Sequence, residues 1–175
     1  METIITNRLS IRYFKESDNK DLYNYLSDKE VLQYEPYQPF TIEQANEEAL
    51  RRSKDTNFYA VCLNDTLIGN IYLAKGEFNT WELGYVFNRN YWGQGYATES
   101  VLALLDYAFN QLQARRIKAL CNPENKASWT LLQRLGMRRE GHFIKNVYFN
   151  KDINNEPLWQ DTYQYAILKE EYIKK

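Results

Sequence analysis

The chain has one histidine, two cysteines, four prolines and seven glycines among its 175 residues, and each shortage closes off a class of function. No Ser/His/Asp or Cys/His arrangement is visible, so a covalent relay through the protein is not expected. Cys62 and Cys121 stand in strand-like runs with no metal-ligand spacing, which reads as reduced core thiols and no metal site. With 22 basic and 23 acidic residues, neither sign of charge dominates, so neither nucleic acid nor an anionic membrane is suggested as a partner. No apolar run approaches the ~20 residues of a membrane helix. Met1-Glu2-Thr3-Ile4 also lacks the basic and apolar regions of a signal peptide, so a cytoplasmic location is expected. Internal repeats and low-complexity segments are missing too, and the length suits a single domain spanning residues 1–175.

What is plentiful is tyrosine, 15 residues of it. Tyrosine can line a pocket, although many copies serve as half-buried packing. Leu9, Ile11 and Tyr13 alternate as a first strand. Ser17 or Asp18 can cap a helix carrying Leu22, Tyr25 and Leu26. Two prolines, Pro36 and Pro39, forbid regular structure before Thr41-Ile42-Glu43-Gln44, a capping box that opens a second helix toward Arg52. Three strands follow as a meander (Phe58–Leu63, Leu67–Ala74, Trp81–Phe87), joined by turns at Asn64-Asp65 and at residues 75–79. Gly84, inside the third of them, marks either a bulge or a close backbone approach. Beyond the helix carrying Val101, Leu104, Leu105 and Phe109 come a strand at Arg116–Cys121 and a helix with Leu131, Leu132 and Leu135, stopped by Gly136. Strands at Phe143–Phe149 and Trp159–Leu168 close the chain. The order β-α-α-β-β-β-α-β-α-β-β implies an α/β fold with a mixed, mostly antiparallel sheet covered by helices on both faces.

One stretch organises the rest. Strand Trp81–Phe87 runs into Asn88-Arg89-Asn90-Tyr91-Trp92-Gly93-Gln94-Gly95-Tyr96-Ala97-Thr98-Glu99 and then a helix. Gly93 and Gly95 leave the backbone bare, and a helix starting there offers unpaired N–H groups and a positive dipole end, a seat for a phosphate or pyrophosphate. A P-loop is excluded because no Lys follows either glycine, and a dinucleotide fingerprint lacks its third small residue, since Thr98 stands there. A second constellation, Asn125-x-x-Ser128, opens the later helix. Asn125 reads first as an N-cap, and a capping side chain can also line a cleft.

Gly93-x-Gly95-Tyr96-Ala97-Thr98-Glu99 resembles the acetyl-CoA pyrophosphate loop of the GCN5-related N-acetyltransferases (GNAT), whose pattern is Gln or Arg, two residues, Gly, one residue, then Gly or Ala. The run from Tyr91 to Glu99 and the opening Thr6-x-Arg8-Leu9-x-Ile11-Arg12 resemble the branch of the ribosomal-protein N-terminal acetyltransferases RimJ and RimL. Asn90 departs from the pattern at its first position, which acts through its backbone. The resemblance spans nearly the whole chain and implies transfer of an acetyl group from acetyl-CoA to a primary amine, most directly a protein N-terminal α-amine. It implies cofactor contacts from Val86, Phe87, Trp92, Gly93, Gln94, Gly95, Tyr96, Ala97, Thr98, Asn125 and Ser128. In such enzymes the third meander strand splays from its neighbour, and the pantetheine arm lies in the gap.

For proton transfer, many relatives use a Tyr on the helix after the Asn, but no Tyr occurs from Asn125 through Arg139, so Ser128 is the substitute acid. Glu82 is the first choice of base, with His142 behind it. Tyr34, Glu35 and Tyr37 border the acceptor region. Scattered acids (Glu30, Glu35, Asp152, Glu156 and Asp161) permit a small-molecule amine such as an aminoglycoside, polyamine or amino acid. A non-catalytic acyl-CoA-binding module is the alternative from another class. The state of assembly stays open, a homodimer included.

Overall fold

A computed structural model describes residues 2–172. Its spine is an eight-stranded sheet in the order β1-β2-β3-β4-β5-β6-β8-β7. The strands are β1 (Ile4–Ile5), β2 (Ser10–Tyr13), β3 (Phe58–Leu63), β4 (Thr66–Lys75), β5 (Thr80–Phe87), β6 (Arg116–Cys121), β7 (Arg138–Val147) and β8 (Gln160–Leu168). The helices are α1 (Asn19–Leu26), α2 (Ile42–Ser53), α3 (Tyr96–Asn110), α4 (Lys126–Arg134) and a last turn, α5 (Lys169–Tyr172). Every neighbouring pair is antiparallel except β5 and β6. A parallel pair needs a long crossover, and α3 supplies it.

Successive residues of a strand face opposite sides of the sheet. On β3, Tyr59 and Val61 join the apolar cluster that holds Leu104, Leu105 and Phe109 of α3 and Leu132 of α4. Ala60 and Cys62 join the opposite cluster with Leu22, Tyr25 and Leu26 of α1 and Ala49 of α2. The sheet is thus buried on both faces, with α1 and α2 on one side and α3 and α4 on the other.

The observed order adds to the expected one the two-residue β1 and the α5 turn, both too short to leave a periodic signal. β7 starts at Arg138, five residues before the expected Phe143, and its residues are nearly all exposed, so no apolar alternation announces them. Thr41 and Gln44 close the capping box on α2 as expected. Asp18 stands at the start of α1 without capping it; its carboxylate instead takes both Nη atoms of Arg12, at 2.7 and 2.8 Å. Gly84 marks no bulge, because β4 and β5 stay in register from Gly69 opposite Phe87 to Lys75 opposite Trp81.

One irregularity positions the site. β6 pairs with β8 along its whole length, yet β5 pairs with β6 only from Thr80 to Leu83. From Gly84 onward β5 leaves its neighbour, and a gap opens inside the sheet.

Candidate acetyl-transfer site

The gap is the floor of a cavity of about 970 Å³. Leu83 to Phe87 form one wall, and Ala119 to Asn122 with the first turn of α4 form the other. One end is closed by the glycine loop, and Tyr34, Glu35 and Pro36 lie over the opposite end.

At the glycine end, Gly93 and Gly95 have φ of 73° and 82°, the left-handed region that side chains disfavour. A Cβ at Gly93 would meet open space, so its requirement is conformational. A Cβ at Gly95 would also approach Arg8 Nη2 at 3.4 Å. Gly95 is the N-cap of α3 and offers no side chain to its first turn, which leaves the N–H groups of Tyr96, Ala97 and Thr98 facing the cavity end. Arg134 Nη1 donates to Thr98 Oγ1 at 3.2 Å, placing a guanidinium beside the loop.

The loop is tied from outside by the N-terminal segment. Arg8 donates to Glu99 through its Nε (2.7 Å) and its backbone N–H (2.9 Å), and through Nη1 to the Gln94 carbonyl at 3.0 Å. Thr6 Oγ1 donates to the same carboxylate at 2.6 Å. Burial works against the charged form of Glu99, but the Thr6 and Arg8 hydrogen bonds outweigh it and hold the carboxyl below its ordinary range. Residues more than 90 apart in sequence thereby fix the loop, which is the physical content of the Thr-x-Arg opening. Nothing in the local pattern around either segment signals this tie.

Of the expected contact residues, Val86, Phe87, Trp92, Gly93, Gly95, Tyr96, Ala97, Thr98, Asn125 and Ser128 all line the cavity. Gln94 does not; its Nε2 donates back to the Asn90 carbonyl at 3.1 Å, so the side chain braces the loop. Asn125 caps α4, its Oδ1 accepting from the Ser128 N–H at 3.1 Å, and it faces the cavity from that position. Gly69 on β4 escaped notice in the sequence. A Cβ there would lie 2.5 Å from Phe87 Cδ1 and 2.7 Å from the Val86 carbonyl, so this glycine lets the cavity wall sit where it does.

Ser128 has a partner that the sequence did not suggest. The Tyr85 hydroxyl lies 3.0 Å from Ser128 Oγ and 3.0 Å from the Ser128 carbonyl. Thus a tyrosine does stand at α4, contributed by β5. Burial raises the Tyr85 hydroxyl above its ordinary value, only partly offset by Ser128, so it stays protonated. Cys121 also lines the cavity, and burial pushes its thiol up to about 11, which suppresses the nucleophilic thiolate.

Glu82 is placed differently from the contact residues. It sits on the last but one pair before the strands part, its carboxylate 3.0 Å from Lys118 Nζ, and it does not line the cavity. His142 is also off the cavity, its Nε2 2.8 Å from Asp161 Oδ2. Tyr34 and Glu35 do line it, and Tyr37 stands just outside.

A gap between parallel strands leading to a glycine-led helix start is a cradle for a long ligand with a phosphate group. A model of the acetyltransferase (GNAT) domain matches residues 8–138. The chain belongs to the GNAT family. Over 97% of this chain and 98% of the relative, it is 42% identical to the uncharacterized N-acetyltransferase YnaD of Bacillus subtilis. A solved GNAT-family acetyltransferase from Bacillus anthracis superposes with a TM-score of 0.87 at 37% identity, covering 96% of this chain and 99% of that one. The spermidine N-acetyltransferase of Vibrio cholerae, solved with CoA and spermine, shares the fold at a TM-score of 0.80 and 21% identity, over 96% and 99% of the two chains. This GNAT chain is therefore an acetyl-CoA-dependent N-acetyltransferase with the single α/β architecture of its family.

Proposed function

We propose that this enzyme acetylates a primary amine at the end of a chain, in the first place the α-amine of a protein N-terminus. The observation that carries the reading is the make-up of the cavity's open end. Exposed Tyr37, Tyr148, Phe149 and Trp159 surround the mouth, with Tyr148 and Trp159 in edge contact at 5.2 Å. Such a rim suits the first side chains of a peptide, because aromatic faces bury apolar and polar partners alike at low entropic cost. A polyamine would call for several free carboxylates along the cleft. Two of the acids there are already engaged, Glu30 by Arg89 and Asp161 by His142.

When bound, acetyl-CoA supplies a thioester carbonyl open to attack and a thiolate leaving group. The residues for holding it are the N–H groups of Gly93 to Thr98 at the pyrophosphate, with Asn125 and the unpaired edge of Val86 and Phe87 along the arm. The Tyr85–Ser128 hydroxyl pair holds a proton at the α4 end of the gap, where a departing sulfur is to be served. Cys121, kept as a thiol, leaves the amine as the nucleophile. Acceptor preference is tested by following CoA-thiol release with free-N-terminal peptides, N-acetylated control peptides and polyamines. Turnover with the free peptides and not with the blocked ones is expected, and turnover with polyamines alone would overturn the choice of acceptor.

A further inference from the structure

We propose that Glu35, on the loop between α1 and α2, is the group that takes the proton from the acceptor amine. The inference rests on the acetyl-transfer reading above and concerns which side chain serves the nitrogen. Glu35 lines the cavity and is half-buried. Among the described residues its carboxylate has no hydrogen-bond or ion-pair partner. The other carboxylates within or beside the cavity are paired or fully in solvent: Glu30 with Arg89, Asp161 with His142, Glu82 with Lys118, and Glu124 exposed. An unpaired carboxylate kept half out of water is in the state a base requires, since no counter-ion has to be displaced before it accepts a proton.

The loop that carries Glu35 is anchored on both flanks. Gln38 Nε2 donates to Asn150 Oδ1 at 2.8 Å, joining it to the β7–β8 loop, and the Tyr34 hydroxyl reaches the Glu124 carbonyl at 3.5 Å across the cleft. Burial pushes the Glu35 carboxyl up to about 7, and Arg52 of α2 pulls it only partly back. The other titratable groups that feel it are Tyr37 of its own loop and Tyr85 of β5, both raised in part by its charge. Glu35 therefore lies within electrostatic reach of the Tyr85 hydroxyl that meets Ser128, and the two ends of one proton inventory face each other across the gap. Their environments set one group to titrate near neutrality and the other to stay protonated, which is how acid and base roles separate.

The balance is as follows. The ammonium gives one proton to Glu35 and becomes a free amine. Its nitrogen then forms a bond to the acetyl carbon while the carbon–sulfur bond breaks. A second proton leaves the nitrogen, and the sulfur receives one through the Tyr85–Ser128 pair, which is restored from solvent. One proton is released overall, through Glu35.

The test compares wild type, Glu35→Gln and Glu35→Asp with a synthetic free-N-terminal peptide as acceptor. Glu35→Gln should bind acetyl-CoA as wild type does and lose on the order of 10²–10⁴ in kcat. The wild-type rate should rise through pH 7, and that limb should vanish in Glu35→Gln and return, weaker, in Glu35→Asp. A readout without either substrate accompanies it. A carboxyl raised in the folded state favours folding below its unfolded pKa and loses that advantage as pH climbs to the folded value. Wild-type melting should therefore fall relative to Glu35→Gln between about pH 4.5 and 7 and then level off. A Glu35→Gln rate within about threefold of wild type, or a retained limb near pH 7, would overturn the proposal, as would finding the large loss in Glu82→Gln instead. Failure of wild type with every amine would mark the loss of the acceptor reading itself, and of this base with it.

Discussion

The two ends of the cavity are built by different means. The phosphate end is made of backbone: two left-handed glycines, a helix start and a strand edge, all within residues 84–98, with Asn125 capping the next helix. The acceptor end is made of side chains on two loops brought together from opposite halves of the chain, with Gln38 and Asn150 in direct contact. Backbone geometry of the first kind admits one ligand shape and tolerates little change. Loop side chains can be exchanged without disturbing the sheet, so the acceptor can vary while the acetyl donor stays the same.

That contrast can be broken from either side. The largest expected effect is at Gly69. A methyl group there collides with Phe87 and the Val86 carbonyl, so Gly69→Ala should lose about 1–3 kcal/mol of stability and weaken acetyl-CoA binding together, read by melting and calorimetry. Next is Asn125→Ala. A lost cap costs about 1 kcal/mol, and a drop in acetyl-CoA affinity should accompany it, whereas a pure stability loss would leave Asn125 a cap only. The smallest effect sharpens the comparison from the other end. Gln38→Ala opens the loop bridge and should raise the acceptor KM a few-fold while acetyl-CoA affinity stays unchanged.

The same contrast explains what could be read from the sequence. Gly93, Gly95 and Asn125 act through local conformation, and local conformation leaves a local signature. The alternation of Trp81, Leu83, Tyr85 and Phe87 likewise gave the strand, and the capping box at Thr41 gave the second helix its start. The Tyr85–Ser128 pair was hidden because its members lie 43 residues apart and meet only once β5 leaves β6. Glu35 appeared in the sequence only as a border residue of a proline-rich link. Its unpaired state depends on where Arg89, His142 and Lys118 happen to find their partners. Glu82 looked attractive for its place beside Gly84, but the parting of the strands begins one residue too late for it to face the gap.

The central claim is that the backbone of the glycine loop, tied by Arg8 and Glu99, is the seat of the cofactor phosphates. The most direct measurement is calorimetric titration of acetyl-CoA into Gly95→Val, with circular dichroism confirming the fold. A branched side chain at φ 82°, aimed toward Arg8, should remove the loop's shape and reduce affinity at least 100-fold while the sheet persists. A folded Gly95→Val protein that binds acetyl-CoA as tightly as wild type would contradict the account.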